Sequence, residues 1–195
     1  MRFLLDLHHY DDNHENNSPS NLLPVCVPCH MTHHIGMAGI KRLGILSWIP
    51  EWPQEKVNSI SILALASNHL DKYVDRYSDS INDNARKKIN KLRSAMQNAA
   101  KIYRSFISRS EYLSSTISGD EAQLSDPVVL SNIMLAMSDE EYRNRASLLP
   151  VLSGIRLVPM RDGYEENERC GYKNMADAWA HALFRMATGI PSKSS

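Results

Sequence analysis

Between Leu7 and His34 the chain gathers six of its eight histidines (His8, His9, His14, His30, His33, His34) and two of its three cysteines (Cys26, Cys29). Side chains of metal-binding type are concentrated in this way where a chain binds a metal or descends from one that did. Imidazole and thiolate both suit zinc and related ions. His30 and His34 are four residues apart, the spacing that places two side chains on one face of a helix. A divalent cation held by two or three such side chains can bridge a scissile phosphate and stabilise the leaving oxygen, while a neutral histidine beside it activates water for in-line attack.

The elements that must position these groups are short. Phe3 to His9 is apolar and ends in the paired histidines, consistent with a strand. Asp11 to Asn21 is a polar loop rich in turn formers. Leu22 to Cys26 contains Pro24 and is an edge strand at best. Pro28 suits the first turn of a helix that carries Cys29, His30, His33 and His34. Strand, loop, strand and short helix give the outline of a ββα metal finger over residues 1–36.

The order of paired His, Asn-Leu and Cys-x-x-Cys-His over these 28 residues resembles the HNH endonuclease family, with its ββα (His-Me) finger. The residues that carry the resemblance are Leu7-His8-His9, Asn21-Leu22, Val25-Cys26, Cys29-His30 and His34. It implies that His8, His30 and His34 hold a divalent metal such as Mg²⁺, that His9 is the general base, and that Asn21 pins the loop orienting it. His14 and His33 match no motif position and read as loop and surface histidines. Cysteine-bearing HNH modules usually hold a structural Zn²⁺ with two Cys-x-x-Cys pairs, whereas only Cys26 and Cys29 stand here, half of that set. Either histidines complete the zinc site or a further pair lies upstream of the sequence given; Cys170 is too isolated to count. The CVPC run also has the form of a thioredoxin-type redox pair, a reading that requires a βαβ context not evident on either side.

The rest of the chain is a helical body, residues 37–189, with a polar tail at 190–195, giving an α+β and mostly helical protein. Pro50 and Pro53 preclude a continuous helix through Gly36–Trp52, and Trp48 and Trp52 are expected to fold back onto an apolar surface. Helical spacing begins at Gln54, and a long helix is expected from about Ala85 to Tyr112 with a run of basic residues. Ser125-Asp126-Pro127 and Ser138 with Glu141 are helix starts. Gly154–Pro159 reads as extended, Arg161–Gly171 as a charged loop, and Asn174–Ala187 as a final amphipathic helix. Lys+Arg and Asp+Glu balance at 22 each, so the basic excess usual in free-standing DNA-binding proteins is absent. No apolar run is long enough to span a membrane or serve as a signal peptide, and three cysteines make no secreted disulfide framework, so a cytoplasmic protein is expected.

The body carries a second ordered set of phrases. Gly39 is followed by Leu46-Ser47-Trp48-Ile49-Pro50-Glu51, then Ala99-Ala100-Lys101-Ile102-Tyr103-Arg104-Ser105-Phe106 with Arg109-Ser110, then Ser125-Asp126-Pro127 and Ile155-Arg156-Leu157-Val158-Pro159. This is similar to the IcmJ/DotN family of type IVB (Dot/Icm) secretion and conjugation systems, over most of the chain. The resemblance implies an HNH-like, zinc-containing adaptor attached to the type IV coupling protein, an ATPase, and its associated adaptors. It implies a cytoplasmic place at the inner-membrane complex, without membrane insertion. Members can lose the paired histidines and keep the cysteines; here His8, His9, His30 and His34 are intact, which keeps nuclease activity and contact with nucleic acid open.

Overall fold

The computed structural model describes residues 5–117, 123–148, 150–165, 172 and 174–191. The expectations for Cys170, for residues 166–171 of the charged loop and for the end of the tail fall outside those residues. The fold is α+β and mostly helical, with two small antiparallel sheets among the described residues.

A two-stranded sheet and a short helix come first among the described residues. β1 (Leu5–His9) pairs antiparallel with β2 (Leu22–Cys26), Leu7 opposite Pro24 and His9 opposite Leu22. A two-stranded sheet has only edges, so Pro24 deprives no neighbour of a hydrogen bond. Helix α1 (Val27–His33) follows at once, with Pro28 in its first turn and the Cys26 sulfur accepting a hydrogen bond from the Cys29 N–H as its cap. Among the described residues β2 and the next strand of the chain belong to different sheets, so the Cys-x-x-Cys lies in no βαβ unit.

The 36–52 region is more regular than its glycines and prolines suggested. It holds a short helix, α2 (Ile35–Ile40), and a strand, β3 (Gly44–Trp48). β3 pairs antiparallel with β4 (Ile155–Pro159), so Leu46 faces Leu157 across 111 residues of chain. Gln54 seals the other edge of β4: its side chain accepts from the Leu157 N–H at 3.0 Å and donates to the Leu157 carbonyl at 2.7 Å.

The helical body surrounds this second sheet. α3 (Gln54–Ala66) starts after Pro53, and α4 (Leu70–Arg76) follows a short 3₁₀ turn. The long α5 (Asp83–Tyr112) is capped by the Asn82 side chain, which accepts from the Ala85 N–H. It buries Ile89, Met96, Ala99 and Phe106 against α3 and β3. α6 (Pro127–Leu135) is capped by Asp126, and α7 (Asp139–Arg143) by a reciprocal Ser138–Glu141 box. α8 (Arg145–Leu148) is one turn. Where the sequence suggested only a charged loop, Arg161–Glu165 forms one helical turn, α9, because Gly163 and Tyr164 are buried. α10 (Met175–Thr188) ends at Gly189, whose φ of 72° is the left-handed stop that glycine adopts most readily.

One core joins α1 to the later helices and the second sheet. Val27 and Met31 of α1 lie in the same buried cluster as Leu46, Leu65, Leu70, Ile89, Leu157, Trp179 and Phe184. A smaller cluster of Ile49, Val57, Phe106 and Val158 has Trp52 packed against it, edge-on to Phe106. Trp48 lies over Gly154, where a β-carbon would meet its ring. No helix among the described residues is long and apolar enough to cross a membrane.

Candidate metal centre

Strand alternation decides which histidine of the pair faces inward. Successive side chains on β1 point to opposite faces. His8 is thus buried towards α1, whereas His9 stays half-exposed on the other face. The helical spacing of His30 and His34 brings both rings back over the strand, the second just past the end of α1. One nitrogen from each of His8, His30 and His34 lies within 4.8 Å of the other two. A tetrahedral zinc with bonds of about 2.0–2.1 Å would set its ligands somewhat closer, so small ring rotations would close the set on an ion.

The electrostatics suit a cation. Burial, followed by the neighbouring His33 and His30, pushes the His8 pKa below its ordinary value. Burial, followed by His30 and His8, does the same for His34. Lowered pKa values keep these rings neutral, the form that donates to a metal. Asp6 sits two residues before His8 and therefore on the same strand face. Its carboxylate Oδ2 lies 3.1 Å from His30 Nδ1 and accepts a hydrogen bond from the Tyr172 hydroxyl at 2.9 Å. With Nδ1 engaged, His30 has Nε2 to offer an ion, the usual carboxylate–histidine–metal relay. Three imidazoles without a carboxylate in the donor set favour zinc or another borderline ion over Mg²⁺, which prefers oxygen.

The remaining candidates take separate places. His9 Nε2 is 3.2 Å from Asn17 Oδ1, and its ring stands 5.0 Å from that of His14. Asn21 is buried and organises the loop. It accepts from the Asp11 N–H at 3.1 Å, donates to Asp11 Oδ1 at 2.8 Å and to the Asn16 carbonyl at 2.9 Å, and its own carbonyl accepts from the Tyr10 N–H. The Asn16 side chain, the Asn13 N–H and Asn21 together hold the Asp11 carboxyl below the usual carboxylate range.

Cys26 and Cys29 stand apart from the histidines. Their Cα atoms are 5.1 Å apart and their sulfurs are joined as a disulfide. Ligation of zinc by this pair requires its reduction first, and among the described residues no third donor groups with it. N–H groups of Cys29 (to Cys26 Sγ, 3.3 Å) and Asn58 (to Cys29 Sγ, 3.5 Å) point at the sulfurs. His33, expected as a bystander, stacks on His8 with ring centroids 4.5 Å apart, and His14 lies 6.0 Å from His34. An open groove lined by Met37, Ser131, Met134 and Tyr142 borders His33 and His34. Asp6 was detectable from its two-residue offset to His8; Tyr172 had no local signal.

No protein-family model matches the chain, and no curated protein matches it.

Proposed function

We propose that the chain is an IcmJ/DotN-like subunit of a type IV secretion or conjugation coupling-protein complex, an adaptor whose HNH-like finger binds a metal, zinc by preference. The observation that carries this reading is the convergence of its resembling phrases. Scattered over some 120 residues, they touch one another in the fold. Leu46–Trp48 pair with Ile155–Leu157 in one ladder, and the Leu46 N–H donates to the Ser125 carbonyl at 2.8 Å. Gly39 lies against Pro127 and Val128. The Tyr103 hydroxyl donates to the Pro159 carbonyl at 2.8 Å, and Arg109 forms an ion pair with Glu51. The phrases are a framework, which is what a shared fold would preserve. Co-expression with the cytoplasmic tail of the cognate type IV coupling protein tests the reading. A stoichiometric complex on size exclusion is expected; two folded proteins eluting separately at micromolar concentration would sink it.

A metal-dependent endonuclease is the second reading, favoured by the His8, His30 and His34 nitrogens gathered between β1 and α1, with His9 next along the strand. A metal at the three nitrogens would supply charge to a phosphate, and His9 would take a proton from water. Nicking of supercoiled plasmid in Mn²⁺ or Mg²⁺ by the wild type but not by His9→Ala is the expected mark; equal background in both ends the idea.

A further inference from the structure

The formal charge of zero conceals a segregated distribution. α5 alone carries eight Lys and Arg against two acids, so the other 165 residues hold an excess of six carboxylates. The two acids, Asp83 and Glu111, stand near its ends, and the 27 residues between them contain none. Ala85, Ile89, Met96, Ala99 and Phe106 face the core. Arg86, Lys87, Lys91, Lys101 and Arg104 are exposed. Arg93 and Arg109 are paired with Asp71 and Glu51, while these five, with Lys88, have no ion-pair partner among the described residues.

A merely solvated helix face tends to alternate acids and bases at i,i+4, because such pairs attract and like charges repel. Here Lys87 and Lys91 are i,i+4, and Lys101 and Arg104 are i,i+3. The repulsion is kept on one helix although the acidic excess lies elsewhere in the chain, which points to an anionic partner that relieves it. The shape of the face indicates which kind. From Arg86 to Arg104 the cations extend over about 27 Å of helix, and the exposed positions between them are Asn90, Ser94, Ala95, Gln97 and Asn98. Protein interfaces tend to centre on aromatic or Arg anchors set in packed pockets, and this stretch exposes no aromatic or large apolar side chain around which such a centre could form. A polyanion needs only charge, with affinity drawn from counterion release.

We infer that the outer face of α5 binds the sugar–phosphate backbone of a nucleic acid, without reading its bases. The inference goes beyond the adaptor reading and does not depend on the metal centre. Fluorescence anisotropy with a labelled 30-base-pair DNA duplex tests it on the full chain, with EDTA present so that the histidine cluster plays no part. Binding at 50 mM salt should weaken log-linearly with salt. Lys87→Gln with Lys101→Gln should lower the salt slope by about two and weaken binding at least tenfold, since each lost phosphate contact removes about one unit of slope. Lys56→Gln with Arg143→Gln removes the same charge from exposed sites elsewhere and should leave both within twofold. Single-stranded DNA and duplex RNA are parallel arms; the same loss with either supports the backbone assignment and identifies the source. Absence of wild-type binding, equal losses in the two double variants, or polyglutamate competing as well as DNA would each overturn it. Circular dichroism of both variants checks that the helix is intact.

Discussion

Asp6 gives the histidine cluster its direction. By engaging Nδ1 of His30 it fixes the ring's orientation and leaves the other nitrogen for an ion. Loss of such a partner typically costs 10–100-fold in metal affinity. Asp6→Asn is therefore expected to weaken zinc binding by about that factor in competition with a chromophoric chelator, whereas His34→Ala should abolish it; unchanged affinity in Asp6→Asn would show that the carboxylate plays no part. At this scale the sequence was most informative where the signal is periodic. His30 and His34 follow from helix spacing, and His8 from its place in β1. The separation of the cysteines from the histidines was not visible, because spacing along a chain does not say which of two neighbouring donor pairs turns inward together. His33 was passed over for a related reason: its partner, His8, sits on another element.

Among the elements, α2 crosses α6 at close range. A β-carbon on Gly39 would meet the Val128 side chain and its backbone nitrogen, at 2.6 and 2.8 Å. A backbone atom cannot swing aside as a side chain can, so Gly39→Ala should force α2 from α6 and cost about 1–3 kcal/mol, the usual penalty of overpacking. Chemical denaturation reads this as a lower midpoint with an unchanged slope; a midpoint within error of wild type would show that the crossing gives freely. Caps and hydrophobic spacing made α5, α6, α7 and α10 legible beforehand. α2 and α9 were not. Gly36 and Gly39 argue against a helix by propensity, and only the close approach of α6 explains their presence. The charges of Arg161, Asp162 and Glu165 masked a turn whose Gly163 and Tyr164 are buried in the core.

On the scale of the whole molecule, contacts between distant parts contribute to the pH response. Asp177 of α10 accepts hydrogen bonds from Lys72 at 3.0 Å and from Tyr73 at 2.8 Å, about 105 residues away. Burial alone would raise its carboxyl; Lys72 and Tyr73, with Lys72 and His69 charge, outweigh that and leave it below the usual range. A folded-state pKa below the unfolded value of about 3.9 means stability that is fully present above that value and lost as pH falls through the lowered one. Asp177→Asn should therefore cost about 1 kcal/mol at pH 7, modest because the pair is partly exposed, and the difference from wild type should shrink below pH 4. A deficit that stays constant into acid would mean that packing, not charge, is lost.

The Tyr172 bond to Asp6 spans 166 residues, joining the opening strand to the segment just before the last helix. Through it, the direction of a donor nitrogen in the finger depends on whether the far end of the chain has come home. A metal held at His30 would then be linked to the docking of that segment: a chain in which Tyr172 has not reached Asp6 holds the His30 ring less firmly.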